Sequence, residues 1–128
     1  MSKLYTIPIA PQVATRPRVP RSRFGKVYYG KKYTAFRKEA EDFFRGYKAL
    51  GKPFSCPLEV FVWFYCKKPK STKLDKPNGD IDNYCKALFD CANGILYEDD
   101  RQIVRVLAEK RWEDENGPRI EFFLVPTT

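Results

Sequence analysis

The sequence predicts an α+β fold: a small mixed β-sheet with two helices packed on one face, in a single domain. Three observations predict it. The chain has 128 residues, the size of one ordinary domain and enough to bury a core without staples. Hydrophobic residues make up 43% and aromatics 16%, so rings dominate the interior. The elements read strand, helix, strand, helix, strand, strand, without the strict alternation of a doubly wound fold.

The first strand is Leu4-Tyr5-Thr6-Ile7-Pro8-Ile9, and Pro8 puts it at an edge or an end. Arg16, Arg18, Arg21 and Arg23 then alternate with Pro17 and Pro20. Proline holds such a stretch extended, which lines guanidinium groups up for successive phosphates. A flexible basic arm is the bland alternative, but residues 1–38 hold ten Lys/Arg and no acid. Thr34 caps a predicted helix over 35–50, closed by Gly51, with Phe36, Ala40, Phe43, Phe44 and Tyr47 on one stripe. Residues 58–66 are almost all β-branched or aromatic and predict a central strand.

A basic loop follows, with Lys67, Lys68, Lys70, Lys73 and Lys76. It delivers the chain to Asp80. The spacing predicts a second helix over 83–93, with Asp82 at or beside its N-cap and Gly94 as its C-terminal stop. Tyr84, Ala87, Leu88 and Cys91 form its apolar face; Asp82, Lys86, Asp90 and Asn93 share the other. Glu98-Asp99-Asp100 reads as a turn and 102–112 as a strand. Asn116-Gly117 signals a hairpin to a last strand over 119–125, antiparallel to the one before. Two helices cover one face of such a sheet. The other exposes Trp63 or Phe123 unless a partner covers it, and a homodimer is the natural inference.

Composition removes several kinds of chemistry. There is no histidine, hence no Ser-His or Cys-His pair and no usual zinc ligand. The four cysteines lack metal or redox spacing and read as reduced thiols of a cytoplasmic protein. No apolar run reaches the roughly 20 residues of a membrane span. The N-terminus lacks the pattern of a signal peptide.

The charge of +8 is uneven, and residues 80–100 hold six acids and one base. Basic segments suit a nucleic acid; concentrated acids need a cation. Asp80 and Asp82 from one loop, with a carboxylate of the Asp99-Asp100 turn from another, make a hard oxygen site for Mg²⁺ or Mn²⁺. Such an ion activates water for phosphodiester hydrolysis, and Lys86 meets the phosphate charge that develops. Each acid also has a bland use. Asp82 could cap the helix, Asp82–Lys86 and Lys86–Asp90 could be surface pairs, and Asp99-Asp100 an ordinary turn. The alternating ligands and closing Glu of an EF-hand are missing.

The run Asp80-x-Asp82-Asn83-x-x-Lys86, then Leu88-Phe89-Asp90, Asn93-Gly94 and Asp99-Asp100 before a hydrophobic strand, resembles the RusA-type Holliday-junction resolvases, a family common in prophages. The Arg16-Pro17-Arg18 tract is also similar to that family. The resemblance implies a RusA-like homodimer and Mg²⁺-dependent cleavage of four-way DNA junctions in recombination and repair. It implies Asp80, Asp82 and Asp100 as metal-binding carboxylates, Lys86 as the essential lysine, and a structural or supporting role for Asp90. A nuclease of the same fold acting on forks or flaps, or a non-catalytic nucleic-acid-binding module, are the alternatives.

Overall fold

The computed structural model describes residues 3–14, 30–48 and 51–127. Four strands form one mixed sheet: β1 (Lys3–Ile7), β2 (Leu58–Cys66), β3 (Ile103–Trp112) and β4 (Arg119–Pro126). Two helices, α1 (Lys31–Lys48) and α2 (Ile81–Ala92), complete the α+β domain. Strand order is β1-β4-β2-β3, with β1 and β3 at the edges.

β2 is central, as its composition predicts. Leu58, Val60, Val62, Phe64 and Cys66 are buried on the helix side. Ile120, Phe122 and Leu124 of β4 lie beside them in register. Burying a side chain of this kind contributes roughly 1.5–3 kcal/mol, so this double row is the main reason that β2 sits inside the sheet. Rings tie both helices to the same face. Phe44 of α1 meets Phe122 edge-on at 5.9 Å, and Tyr84 of α2 lies 5.5 Å from Phe64.

The expected hairpin is not formed. β4 runs antiparallel to β3 in direction, but β2 lies between them, parallel to β3 and antiparallel to β4. The 113–118 connection therefore crosses the end of β2, where the Glu113 amide donates to the Cys66 carbonyl at 2.8 Å. Its Asn-Gly signal still marks a turn. The Gly117 amide donates to the Asp114 carbonyl, and Gly117 has φ 83°, a conformation that suits glycine. A local turn signal says where the chain bends and not which strand it then joins.

α1 starts at Lys31 rather than at 35. Thr34 is thus inside its first turn, with Oγ1 donating to the Gly30 carbonyl. Phe36, Ala40 and Phe44 are buried, whereas Phe43 is 42% exposed. The stripe is narrower than the spacing suggests, and Tyr33 joins it from the new first turn, 2% exposed. The sheet face away from the helices carries Leu4, Phe123, Phe61 and Leu107 in one register row across all four strands. Trp63 and Phe123 meet there edge-on at 6.1 Å.

Arg119 anchors the start of β4. It donates to both Asp114 oxygens and to Glu121, with its guanidinium 3.7 Å above the Tyr65 ring. This pairing holds the Asp114 carboxyl at about 2, below its ordinary 3.8. A depressed carboxylate gives stability that is present above the unfolded pKa and lost as pH falls through the folded one. Asp114→Asn is expected to flatten the loss of stability below about pH 4. Urea midpoints taken from pH 5 down to pH 2, under conditions where both proteins refold, check it; a mutant that loses stability as steeply as the parent would contradict the assignment.

Candidate active site

The turn before α2 sets the first two acids. Asp80 is the helix N-cap, extended at φ −71° and ψ 137°, and its side chain makes no capping bond. Its carbonyl accepts from the Asn83 and Tyr84 amides at 3.0 and 3.2 Å. The helix starts two residues earlier than the spacing predicts, so Asp82 lies in the first turn instead of capping it. An acid is favoured there by the exposed amide dipoles. Neither acid is therefore used up as a side-chain cap.

The second acidic turn is built differently. A single 3₁₀ turn, Asp100–Gln102, follows Asp99. The Asp99 carboxylate accepts from the Arg101 amide at 3.0 Å, which holds its pKa below the usual range. Gln102 returns the bond: its Oε1 accepts from the Asp99 amide, and its Nε2 donates to the Phe54 and Cys56 carbonyls at 2.9 Å each. Asp99 is thus a structural cap, and Asp100 is carried on a turn moored to the segment before β2.

Asp82, Lys86, Asp90 and Asp100 line one pocket of about 640 Å³ between α2 and β3. The remaining wall is mostly apolar, from Ile81, Cys85, Phe89, Val106, Leu107 and Ala108. Lys86 Nζ lies 3.5 Å from Asp90 Oδ2, and the Tyr33 hydroxyl donates to the same oxygen at 3.2 Å. Burial raises the Asp100 pKa first, then its contact with Asp99 and the charges of Asp99 and Asp90; Lys86 opposes the rise. Asp90, expected to be structural or supporting, is therefore a wall of the site and an electrostatic neighbour of Asp100.

Asp80 is not among the pocket-lining residues. Eight residues of helix separate Asp82 from Asp90, about 12 Å along the axis. The acids are strung along α2 with Lys86 between them. Among the described residues, no group of three or more Asp, Glu, Cys or His side chains converges closely enough to hold a metal. The donor chemistry still fits Mg²⁺, which binds through one or two carboxylates, keeps waters and takes further oxygens from a substrate phosphate.

Lys67, Lys68, Lys70, Lys73 and Lys76 stand exposed on the loop between β2 and α2. That loop is tied down at two points, by Trp112 Nε1 donating to the Leu74 carbonyl and by the Lys68 amide donating to Glu113. The expectation for Arg16, Arg18, Arg21 and Arg23 falls outside the described residues. The described N-terminal segment ends at Ala14, whose amide donates to the Asn83 carbonyl at 3.0 Å, beside the acidic turn.

Sequence reasoning missed Tyr33, Gln102 and Lys110 as parts of this site. Gln102 had a signal, because an acid followed three residues later by Gln is a capping-box pattern. Tyr33 and Lys110 act across 57 and 31 residues, and no local pattern marks such a contact.

The family model for endodeoxyribonuclease RusA matches residues 8–124. A stretch of 61 residues is 38% identical to "Uncharacterized protein YqaN" of Bacillus subtilis (strain 168). That stretch covers 45% of this chain and 42% of that protein, so the match spans less than half of either.

The charges around Asp100 give a direct test. In the metal-free protein, Asp90→Asn is expected to lower the Asp100 pKa, by removing a like charge, and Lys86→Met to raise it. Carboxyl-carbon NMR titration of the two variants reads both shifts; equal values in parent and variants would show that these groups do not share a site.

Proposed function

The chain belongs to the endodeoxyribonuclease RusA family, and we propose that it is a Mg²⁺-dependent endonuclease that resolves four-way DNA junctions in recombination and repair. One observation carries the reading: Asp82 and Lys86 of α2 and Asp100 from the turn beyond it line a single pocket in a chain that the family model spans almost entirely. The exposed lysine loop leads straight into that site and suits sequence-independent contacts with phosphates.

In this proposal Asp82 and Asp100, with Asp80 from the preceding turn, hold Mg²⁺ or Mn²⁺. The ion supplies Lewis acidity and a nucleophile at neutral pH. The protein's own groups do the rest. Lys86 stands between the carboxylates, where it offsets their repulsion of DNA and meets charge developing on the scissile phosphate. Asp90 and Tyr33 hold its side of the pocket. The apolar wall keeps these charges in a medium where they act on one another more strongly than in water.

Two opposed cuts need two sites, and we propose a homodimer. The helix-free sheet face supports it, with its apolar row Leu4–Phe123–Phe61–Leu107 and, among the described residues, no layer packed over it. Among the described residues no helix is long and apolar enough to cross a membrane. A cytoplasmic place of action accords with the DNA substrate.

The test is incubation with labelled four-way junction, fork and duplex DNA, with Mg²⁺ and with EDTA. Paired symmetric nicks in the junction alone, absent in EDTA, are expected. Preferential cutting of the fork would transfer the reading to another branched substrate. Asp82→Asn should slow cleavage by at least about 100-fold while junction binding holds or tightens, since a negative charge beside phosphate is removed. Loss of binding in parallel with activity would sink the assignment.

A further inference from the structure

We propose that Lys110 is a positioning residue of the acidic site, acting through the backbone that enters Asp80. This rests on the nuclease reading above. Lys110 lies on β3, in register with Phe64 of the buried row, and is itself half-buried. Its Nζ donates to the Gly79 carbonyl at 2.5 Å. That carbonyl belongs to the peptide joining Gly79 to Asp80. Among the described residues Lys110 forms no ion pair with a carboxylate; its ammonium bonds this backbone oxygen and acts on the nearby Cys66 thiol.

The space at the Gly79 Cα is closed as well. A Cβ at this position would lie 2.6 Å from Val13 Cγ1, 2.8 Å from Tyr84 Oη and 2.9 Å from Tyr84 Cε2. Only glycine lets the chain pass there. The turn is thus packed against Val13 and Tyr84 and tied to the Lys110 ammonium. Ala14 adds a third tie, through its amide to the Asn83 carbonyl.

Asp80 needs an external support of this kind. Its side chain makes no cap bond that would orient it on the helix. What fixes its carboxylate is the direction in which the backbone arrives, and Lys110 sets that direction. The ammonium also places a positive charge at the turn that carries Asp80 and Asp82, reducing the repulsion between two acids two residues apart. Removing it loosens the turn and leaves those acids less well matched to a divalent cation.

The experiment uses the full chain and compares the parent with Lys110→Met, Lys110→Arg and Gly79→Ala. Three readouts are taken: Mn²⁺ binding to the DNA-free protein by calorimetry, junction cleavage at saturating DNA, and the amide resonances of Asp80 and Leu88 in the nitrogen-15 spectrum. Lys110→Met is expected to weaken Mn²⁺ binding and slow cleavage by about 10- to 100-fold, the usual effect of losing an outer support of a metal site. Junction affinity in EDTA should stay within about twofold. The Asp80 resonance should move while that of Leu88, 1% exposed in the core, does not. Lys110→Arg keeps a charged donor and should recover most of the loss. Gly79→Ala should reproduce the defect by displacing the same peptide through the clash with Val13 and Tyr84.

Parent-like Mn²⁺ binding and cleavage in Lys110→Met would overturn the inference and leave the nuclease reading intact. So would movement of Asp80 and Leu88 together in both Lys110→Met and Gly79→Ala, which marks general loosening instead of local positioning. A parent protein that neither binds Mn²⁺ nor cuts the junction would overturn the nuclease reading first and this inference with it.

Discussion

The parallel pairing of β2 with β3 is the constraint on which the rest of the structure depends. Parallel neighbours cannot be joined by a tight turn; the chain must leave the end of one strand and return to the start of the other. Here residues 67–102 make that crossing, and they hold the lysine loop, both acidic turns and α2. The sheet thereby decides where the acids go. Asp80 and Asp82 enter at one end of α2, and Asp100 sits at the start of β3. β4 then takes the other edge of β2, which places the double buried row at the middle of the sheet.

The crossing alone would leave the site loosely held, because both acidic turns are short and exposed. Each is moored by one long polar side chain from outside its own turn or from its far end. Gln102 fastens the Asp99–Asp100 turn to the Phe54 and Cys56 carbonyls, and Lys110 fastens the Gly79–Asp80 turn to β3. Both supports act on backbone carbonyls. This leaves the carboxylates of Asp80 and Asp100 unspent on capping. Asp99 shows the contrast, since its carboxylate is committed to the Arg101 amide and its pKa falls accordingly.

Much of this was legible in the sequence, and the legible part has a physical character. β2 was readable to the residue, because a strand buried on one face and half-covered on the other carries an unbroken β-branched and aromatic run. The apolar face of α2 was readable from its spacing, and Tyr84, Ala87, Leu88 and Cys91 are all buried. The charge anomaly between Asp80 and Asp100 pointed to the pocket. What escaped was non-local. The order of the strands follows from which buried rows fit together, and no turn residue encodes it. The start of α1 was placed too late because Thr34 looks like a cap, yet its hydroxyl bonds back to Gly30 within the helix. For Asp90, spacing shows only its i,i+4 partner Lys86 and hides Tyr33 and Asp100.

The position of Lys86 follows from the wall around it. Ile81, Cys85, Phe89, Val106 and Ala108 give the acids an apolar setting, and burial is the first cause of the raised Asp100 pKa. The charges of Asp99 and Asp90 add to that rise. Among the described residues that line the pocket, Lys86 is the one cation, one helical turn from Asp82 and from Asp90, and it opposes the rise at Asp100. Its ion pair with Asp90 is too exposed to matter much for folding, where such pairs contribute at most about 1 kcal/mol. The value of the lysine lies elsewhere. It lowers the pKa of Asp100, and in the proposed nuclease its ammonium is already in place for a phosphate. A proposed site that takes both a cation and a polyanion is served by a fixed positive charge at its middle. The helix spacing of Asp82, Lys86 and Asp90 provides that charge without drawing on the loops.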